Sequence, residues 1–409
     1  MSYKFFIFYL FIIFSSSLFS IGDGSSPYWP QDSFNAQHSM VSPHSYFESL
    51  EAKVIDFPYL EGSDCKIVVD SEENAIICCK TQCYQYNPNT KKFGDAPFIA
   101  TDMAVSSDGY FYLINTEMET FSKRTLNEDI TWTIKGKFNS GVLLSTSQDK
   151  VFVTMFFQVY CFSIDGELIW LHTTDTRFAG LVLSYHQEIL YLKTNSRLTA
   201  LNVNNGSIIW TATLPFEIGD IISSPSSQSE VVFLVGSYSN QVALLSQGNL
   251  MFTLSNINSR AGLVVFPESF YLQTGDIIQE YDLLTFQVIN SIPVENCCTL
   301  LLGAYDTLFL VGSSSTTAHR RSTGSNLWTI KYKSESLVHA VVGGNETLYL
   351  SFTLPISSSY RGHVLYINAR PTGFNFWWLA LIIPVILVPF IIIAFIYIKK
   401  RKHQYEQIN

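Results

Sequence analysis

Cysteine is the residue type in this chain whose number and spacing could do chemistry most directly. The 409-residue chain contains seven cysteines, which include the adjacent pairs Cys78-Cys79 and Cys297-Cys298. Cysteines in an oxidising compartment form disulfides, and an odd count leaves at least one of them unpaired or paired between molecules. We expect the first pair to bond locally, with Cys65 or Cys83 as a partner.

The remaining cysteines and the histidines argue against a metal centre. Cys161 lies on an alternating, strand-like run, so we expect a buried free thiol there and not a reactive one. The spacing Cys-Cys-x-x-x-Cys at 78–83 could supply zinc ligands, but no second set of ligands follows at a suitable distance. The eight histidines are scattered along the chain. The sequence therefore predicts no metal site.

Two sequons predict N-glycosylation in a chain that passes through the secretory pathway. Asn205-Gly206-Ser207 and Asn345-Glu346-Thr347 both have the form Asn-x-Ser/Thr, in which the asparagine amide accepts the glycan. Asn205 also suits a hairpin turn, whose tip would be exposed. The turn alone therefore explains this asparagine equally well.

A four-residue motif near the C-terminus could bind the sorting machinery. Tyr405-Glu406-Gln407-Ile408 has the form tyrosine-x-x-bulky apolar residue and is similar to the tails of lysosome-associated membrane proteins, although Gln404 stands where those tails usually have glycine. The similarity implies that a clathrin adaptor would bind the segment as an extended strand, with Tyr405 and Ile408 in separate pockets.

Recurring tryptophans indicate that the chain is built from repeated units. Four tryptophans follow another aromatic residue by 18 to 20 positions, and three of them stand four positions after a glycine. Such spacing is typical of stacked repeats, because each unit must place the same bulky side chain against its neighbour. The aromatic pairs are Tyr112 and Trp132, Phe152 and Trp170, Tyr191 and Trp210, and Phe309 and Trp328; the glycines are Gly166, Gly206 and Gly324.

The repeats divide the chain into eight units of about 40 residues, near the size of a four-stranded propeller blade. Each unit contains short strand-like runs, and a turn before the outer strand suits a hairpin. A closed ring avoids long exposed sheet edges. We therefore predict an all-β, eight-bladed β-propeller, with a seven-bladed ring as the alternative. The units begin near Cys65, Gly109, Lys150, Glu188, Glu230, Glu268, Asp306 and Glu346.

The last unit lacks an outer strand of its own, because the chain runs straight on toward its C-terminus after the strand-like run 364–367. The missing strand could come from the segment 47–58, which would tie the two ends of the domain together. We therefore predict that residues 53–57 pair with the final blade.

Two of the units resemble a known repeat family. The segments VFV…VYCFSIDGELIW (151–170) and LYL…LTALNVNNGSIIW (190–210) are similar to the pyrroloquinoline-quinone-like (PQQ-like) β-propeller repeat of quinoprotein dehydrogenases and of an outer-membrane assembly lipoprotein. The segment 28–43 is similar to a Trp-Pro stretch that often precedes such propellers. A WD-repeat propeller fits less well, because the chain has no Trp-Asp dipeptide.

The resemblance also implies an enzymatic alternative, a membrane-tethered quinoprotein oxidoreductase. Dehydrogenases of the family hold quinone and Ca²⁺ in the central channel, often beneath a disulfide of adjacent cysteines. The chain has adjacent cysteines, but we find no matching set of calcium-binding oxygens, no aspartate base and no complete set of quinone-stacking residues. Because a fold alone does not transmit an activity, we predict that the protein is not an enzyme and binds no cofactor.

Two apolar segments predict how the chain lies relative to a membrane. Residues 1–20 have the layout of a cleaved signal peptide, with Lys4 before ten apolar residues at 5–14, too few to span a bilayer. Residues 376–398 form an uncharged run of 23 residues, enough to cross about 30 Å of hydrocarbon as a helix. Four basic residues follow at 399–402 and mark the cytosolic side. We therefore predict a single-pass, type I membrane protein.

The predicted organisation is a signal peptide (1–20), an N-terminal segment with the closing strand (21–63), the propeller repeats (64–370), the transmembrane helix (376–398) and a cytosolic tail (399–409). Without Lys4, the four basic residues after the helix and Glu406, 20 basic and 33 acidic residues remain, a formal net charge of −13. Such a domain lacks the basic surface that phosphate contacts need, so we expect no nucleic-acid partner.

These features favour a non-catalytic binding or adhesion protein in the plasma membrane or an endolysosomal membrane. Its partner would be a protein or a glycan outside the cytosol, bound by loops that a rigid ring presents. Besides the oxidoreductase, the alternative is a structural subunit of a membrane complex in the secretory pathway. The candidate binding loops are 156–158, 237–240, 313–317 and 355–359.

Overall fold

A computed structural model describes residues 41–42, 53–56, 60–61, 66–70, 74–79, 82–87, 90 and 92–368, the last range with short gaps. Every regular element among these residues is a β-strand, which confirms the all-β prediction. Three short strands come first and lie outside the repeats: β1 (Val41–Ser42), β2 (Lys53–Asp56) and β3 (Leu60–Glu61).

The strands of the first four sheets follow one another along the chain, and each sheet is an antiparallel ladder of four consecutive strands. Sheets 1 to 4 contain β4 (Lys66–Val69), β5 (Ala75–Cys79), β6 (Gln82–Asn87) and β7 (Lys92–Asp95); β8 (Asp102–Val105), β9 (Phe111–Asn115), β10 (Thr120–Arg124) and β11 (Ile130–Lys135); β12 (Ser140–Leu144), β13 (Lys150–Met155), β14 (Gln158–Ser163) and β15 (Leu168–Thr173); β16 (Gly180–Leu183), β17 (Ile189–Lys193), β18 (Arg197–Asn202) and β19 (Ile208–Thr213).

Sheets 5 to 7 repeat this arrangement, and sheet 8 has only three consecutive strands of its own. These sheets contain β20 (Ile218–Ser223), β21 (Val232–Gly236), β22 (Gln241–Ser246) and β23 (Asn249–Ser255); β24 (Leu263–Val265), β25 (Ser269–Thr274), β26 (Ile277–Asp282) and β27 (Val288–Pro293); β28 (Leu300–Ala304), β29 (Thr307–Val311), β30 (Ser315–Arg320) and β31 (Asn326–Lys331); and β32 (Ser336–Gly343), β33 (Thr347–Ile356) and β34 (Ser359–Asn368).

The position of a strand within its sheet explains its residue pattern. The second strands β9, β21 and β29 are buried at every residue, because neighbouring sheets cover both of their faces, and they consist mainly of aliphatic and aromatic residues. The outer strands β11 and β19 expose roughly alternate residues, as expected of a strand that faces water.

The sheets close into a ring. The innermost strands contact one another in sequence, and β4 of sheet 1 contacts both β8 of sheet 2 and β32 of sheet 8. Around the first part of the inner wall, Asp102 links three sheets. Its carboxylate lies 2.9 Å from Lys66 Nζ of sheet 1 and accepts the backbone N–H of Gly141 of sheet 3. The molecule is a β-propeller.

The N-terminal strands complete the ring. β2 pairs with β34 in an antiparallel ladder that runs from Lys53 opposite Asn368 to Asp56 opposite Leu365, so it is the fourth strand of sheet 8. This strand lies within the segment 47–58 that the sequence assigns to the final blade. β1, for which the sequence gives no pairing, adds to β28 of sheet 7 in parallel. Seven sheets are thus built from consecutive strands, and the eighth combines both ends of the domain.

The ring has two distinct faces because its strands are antiparallel. One face, the loop face, carries the turns between second and third strands and the connections to the next sheet. The other, the turn face, carries the turns between first and second and between third and fourth strands. β34 is a third strand, so its last residue, Asn368, lies on the turn face.

The tryptophans hold neighbouring sheets together. Each predicted aromatic pair makes a contact within its sheet, with ring centroids 5.7 to 6.1 Å apart. Three tryptophans also pack on the turn glycine of the next sheet, where a Cβ would lie about 3 Å from the ring. This second contact explains why glycine recurs there. The contacts are Trp132 on Gly166, Trp170 on Gly206 and Trp210 on Gly248.

The indole N–H groups add a polar link between sheets. Trp132 Nε1 donates to Ile164 O at 3.0 Å, and Trp170 Nε1 donates to Val203 O at 2.8 Å. Both carbonyls lie in the turn that carries the contacted glycine. Each ring therefore contributes apolar burial and a hydrogen bond to one interface.

The described cysteines form structural contacts. Cys78 and Cys83 lie directly opposite each other on β5 and β6 and form a disulfide, and Cys79 is also disulfide-bonded. Cys161 is free and buried, as predicted, and burial raises the pKa of its thiol to about 12. Cys65, Cys297 and Cys298 lie outside the described residues.

The predicted membrane segments also fall outside the described residues, at 1–20, 376–398 and 399–409. Within the part of the chain that is described, no helix is both long enough and apolar enough to span a bilayer.

Candidate binding surface on the loop face

The topology brings the four predicted binding loops to one face. Each of the segments 156–158, 237–240, 313–317 and 355–359 lies at the turn between the second and third strands of its sheet. They belong to sheets 3, 5, 7 and 8, so they are distributed around the loop face. The last three segments are only partly described, and the tip in sheet 3 is described in full.

The hairpin tip of sheet 3 exposes two aromatic rings. Met155 pairs with Gln158, so Phe156 and Phe157 form a two-residue turn, and each is 47% exposed. They are the only exposed aromatic rings among the residues whose side-chain exposure the structure describes. Exposed aromatic side chains are unfavourable in water and are enriched at interfaces.

The backbone of this tip is strained. Phe156 has a φ of 50°, in the left-handed region where a bulky residue is unfavourable. Two-residue hairpin turns normally place glycine, asparagine or aspartate at such a position. The chain therefore holds a phenylalanine ring outward in a conformation that a smaller residue would adopt at lower cost. Strain of this kind is concentrated at functional positions.

Hydrogen bonds hold the tip in place. The backbone N–H of Thr174, in the connection from sheet 3 to sheet 4, donates to Phe157 O at 2.8 Å. At the base of the hairpin, the Tyr160 hydroxyl donates to Gln158 Oε1 at 2.7 Å. The rings are thus presented by a fixed support, which lowers the entropy that binding would cost.

The adjacent sheet adds aliphatic side chains to the same face. Met118, in the turn of sheet 2, is 72% exposed, and Ile99, in the connection before that sheet, is 44% exposed. Asn115 joins the two, because its Oδ1 accepts the N–H of Met118 at 2.9 Å and its Nδ2 donates to Ile99 O at 3.4 Å. Glu119 in this turn also has a positive φ, 52°.

We call Ile99, Met118, Phe156 and Phe157 the loop-face patch. Sequence reasoning identified the last two and missed the first two. The sequence does contain a signal for Met118, which stands between Glu117 and Glu119. The charged neighbours offer its apolar side chain nothing to pack against.

Ion pairs border the loop-face patch. Lys137 Nζ lies 3.4 Å from Glu119 Oε1, and Arg197 Nη1 lies 3.3 Å from Asp175 Oδ1. All four side chains are more than 40% exposed, so each pair adds little to stability. An apolar centre with a charged rim is the usual composition of a protein interface.

The other predicted site residues lie elsewhere. Asn205 is exposed on the turn face, and its Oδ1 accepts both the N–H of Ser207 at 3.0 Å and the Ser207 hydroxyl at 2.8 Å. Asn345, Tyr405 and Ile408 lie outside the described residues. Within the described ranges, no group of three or more His, Cys, Asp or Glu side chains could hold a metal ion.

Comparisons with known proteins agree with the repeats seen in the sequence. Residues 119–252 match the family model described as outer membrane protein assembly factor BamB. Sqt1 from Saccharomyces cerevisiae is similar with a TM-score of 0.57 and 11% identity, over 80% of this chain and 100% of Sqt1. BamB from Moraxella catarrhalis gives a TM-score of 0.49 and 14% identity, over 65% of this chain and 96% of BamB. No curated protein sequence matches the chain.

Proposed function

We propose that this chain is a β-propeller of the PQQ-like repeat family, which the family match at residues 119–252 supports, and that it is a non-catalytic protein-binding module held on a membrane. The loop-face patch binds the partner. The observation that carries the proposal is the hairpin tip of sheet 3, where Phe156 has a φ of 50° and both rings are exposed. Exposed rings on a rigid support are the features of an interface anchor.

The experiment is site-specific photocrosslinking in the full-length chain. The photoreactive analogue p-benzoylphenylalanine replaces Phe157 in one variant and Leu171 in a second. Leu171 is a matched control, because it is 45% exposed and lies on the outer strand β15, away from the loop face. We expect irradiation in cells to give one discrete adduct with the Phe157 variant alone. Equal adducts at both positions, or none at Phe157, would refute the proposal.

The membrane anchor is the second part of the proposal. Residues 376–398 supply the transmembrane helix, and the chain leaves the propeller after Asn368 on the turn face. The linker 369–375 is short, so the turn face would lie toward the bilayer and the loop-face patch would point away from it. This orientation leaves the patch accessible to proteins or other cells outside the cytosol.

Glycosylation tests the side of the membrane on which the propeller lies. We expect Asn205→Gln to lower the apparent mass of the full-length chain by one glycan when it is made in secretory cells, because Asn205 is exposed. Glycosidase treatment should remove the difference. A chain with no glycan at either Asn205 or Asn345 would not support this orientation. A protease added to the cytosolic side of sealed membranes then decides the question. It should leave the propeller intact, and cleavage of the propeller would show that it faces the cytosol.

The cytosolic tail is the third part of the proposal. A clathrin adaptor would bind Tyr405 and Ile408 and direct the protein to endolysosomal membranes. We expect Tyr405→Ala and Ile408→Ala each to raise the surface abundance of the protein and to slow its uptake. Glu406→Ala, at a position that the motif leaves unspecified, is the control and should change neither. Unchanged uptake in the Tyr405 variant would rule out this signal.

A further inference from the structure

One interface between sheets lacks the tryptophan that is found in others. In sheets 3, 4 and 7, the tryptophan of the outer strand lies opposite Cys161, Ala200 and Ala318 of the third strand. The equivalent residue of sheet 6 is Asn290, which lies opposite Glu280. A short polar side chain therefore stands where a large ring would pack against the next sheet.

The turn that would receive the ring is nevertheless built in the same way. Gly324 of sheet 7 has a φ of 67° and Gly206 of sheet 4 a φ of 69°, and in both turns the glycine N–H donates to the carbonyl four residues earlier at 2.8 Å. A Cβ at Gly206 would lie 2.7 Å from the Trp170 ring, whereas at Gly324 the nearest atom, Ile292 Cγ1, would be 3.6 Å away. The surface that a tryptophan covers elsewhere is covered here only by the smaller side chains of Ile292 and Asn290, at ordinary van der Waals distance.

A polar cavity lies beside this turn. It has a volume of about 520 Å³, and its lining includes the side chains of Glu268, Glu280, Asn290, Arg321 and Ile289. Cavities of this size hold small molecules or side chains of a partner. It lies between β27 and two turns of the turn face, the one that carries Glu268 and the one that joins β30 to β31.

Arg321 lies where sheet 4 has a buried apolar side chain. The equivalent residue, three positions before the turn glycine, is Val203, which is 3% exposed. The Arg321 guanidinium carbon lies 3.5 Å from the centre of the Phe266 ring. Its Nη2 lies 2.8 Å from Glu268 Oε1 and 3.9 Å from Glu280 Oε1. Arg321 is thus fixed as part of the cavity wall.

The charges of the cavity do not cancel. One guanidinium faces two carboxylates, which leaves a formal charge of −1. The Glu280 side chain is only 13% exposed, and its Oε1 accepts the Ser269 hydroxyl at 2.9 Å. Glu268 is 66% exposed and lies at the mouth. A partly desolvated site with a negative charge favours a cation over a neutral or anionic group of the same shape.

We propose that this cavity binds an arginine side chain of a protein partner. The planar guanidinium lies beside the turn that joins β30 to β31, against Ser322 and Thr323, and donates to the Glu268 carboxylate. The methylene groups lie along Ile289, which is 58% exposed. A flat group with several donors suits this position better than a spherical ammonium group does. The inference rests on the proposed protein-binding function and adds a second contact at the edge of the turn face.

The test uses the full-length chain in detergent and two small probes, Nα-acetyl-L-arginine amide and Nα-acetyl-L-citrulline amide. The two have nearly the same shape, but only the first is charged. We expect saturation-transfer NMR to show that the arginine probe binds roughly tenfold more tightly than the citrulline probe, because its hydrogen bonds to carboxylate are charge-assisted. High salt should reduce the difference. Equal binding of the two probes, or no binding of either, would overturn the proposal.

Three variants locate the probe. Asn290→Trp should fill the cavity and abolish binding. Glu268→Gln changes an exposed carboxylate with little risk to folding, and it should remove most of the preference for arginine over citrulline. Glu167→Gln, which changes an exposed glutamate in the turn of sheet 3, is the matched control and should leave binding unchanged. Retention of the preference in the Glu268 variant would place the probe elsewhere and refute the site.

A fourth variant separates this inference from the proposed function. Replacement of both Phe156 and Phe157 by serine removes the rings of the loop-face patch and should leave binding of the arginine probe unchanged. If the photocrosslinking at Phe157 fails while the arginine probe binds as expected, the patch is wrong and the cavity stands. The reverse pair of results would refute the cavity alone.

Discussion

The turn glycines allow a positive φ, and some of them also leave room for a tryptophan ring of the neighbouring sheet. Mutation can separate these two roles. Gly206 and Gly324 have almost the same positive φ, 69° and 67°, but only Gly206 is covered by a tryptophan ring. We expect Gly324→Ala to cost about 1 kcal/mol, the cost of the backbone conformation alone. Gly206→Ala should cost about 3 kcal/mol, because the new methyl group also displaces Trp170.

Urea unfolding of the two variants, followed by tryptophan fluorescence, measures this difference. Equal losses in the two variants would show that the contact with Trp170 yields at no cost. In that case the ring contributes little to the specificity of the interface, and the recurrence of glycine reflects the turn alone.

The hairpin tip of sheet 3 allows a second comparison, between the effects of the same substitution at two adjacent residues. Phe156 has a positive φ and Phe157 does not, although both rings are 47% exposed. Phe156→Gly should therefore change the free energy of unfolding by no more than about 0.5 kcal/mol, because glycine relieves the strained backbone. Phe157→Gly should be less stable than Phe156→Gly by about 1 kcal/mol, since glycine there only adds flexibility to the unfolded chain.

Thermal unfolding of the two glycine variants in parallel would measure this order of stability. If the Phe156 variant is instead the less stable one, its ring makes a stabilising contact within the propeller. The proposal that this ring is kept for a partner would then lose its main support.

At the residue scale, the sequence predicted the glycine turns but not what the glycines touch. A glycine four positions before a tryptophan indicates a hairpin. The ring that covers Gly206 is Trp170, which belongs to the preceding unit and lies 36 positions earlier. That contact depends on how adjacent sheets stagger, and no local pattern reports it. Gly248 was overlooked for a related reason, because Phe252 stands four positions after it and not tryptophan.

At the scale of the strands, buried hydrogen bonds and ion pairs across the inner wall should contribute more to the free energy of unfolding than exposed ion pairs do. Asp102 is 5% exposed and accepts hydrogen bonds from Lys66 Nζ, the Met103 N–H and the Gly141 N–H. Asp102→Ala removes this acceptor and leaves three donors, which belong to three adjacent sheets, without it. We expect a loss of about 3 kcal/mol, as for hydrogen bonds to a charged group whose partners stay partly buried.

The exposed pair Arg197–Asp175 is the control for this prediction. The Asp175 side chain is 69% exposed, and Asp175→Ala should cost less than about 1 kcal/mol. Denaturant unfolding of both variants gives the comparison. Similar small losses would mean that water replaces Asp102 at little cost.

The pairing of the terminal strands was accessible from the sequence only in part. The last unit has no outer strand, so one had to come from elsewhere, and β2 supplies it beside β34. The parallel pairing of β1 with β28 could not be predicted. It joins only two residues, Val41 and Ser42, too few to give an alternating pattern.

At the scale of the whole molecule, the interfaces between sheets differ in kind. Tryptophan on glycine joins sheets 2 and 3, 3 and 4, and 4 and 5. Between sheets 5 and 6, Phe252 stacks on Phe286 with ring centroids 5.3 Å apart. Between sheets 6 and 7, a polar cavity replaces the ring. A ring of similar sheets thus keeps one architecture while the side chains that join neighbouring sheets differ from one interface to the next.

The same burial that closes the sheets should make the whole propeller sensitive to alkaline pH. Burial raises the pKa of Cys161 from an ordinary value of 9.0 to about 12, and it also raises the pKa values of Tyr112 and Tyr271 above their usual 10.0. These groups stay protonated in the folded protein and ionise first in the unfolded chain. Their contribution to stability is therefore complete below about pH 9 and is lost as the pH rises toward 12.

Cys161→Ala isolates one of these groups. The substitution lowers stability by a constant amount at neutral pH, but it should make the fall in unfolding free energy between pH 9 and 11 shallower by about 1.4 kcal/mol per pH unit, the value for one proton. Denaturant unfolding at intervals of half a pH unit measures the slope. Parallel curves for the two proteins would mean that the Cys161 thiol ionises equally well in the folded state. That result would require water to reach the interior of sheet 3. The contact of Trp170 with Gly206 of the next sheet would then be loosened at high pH.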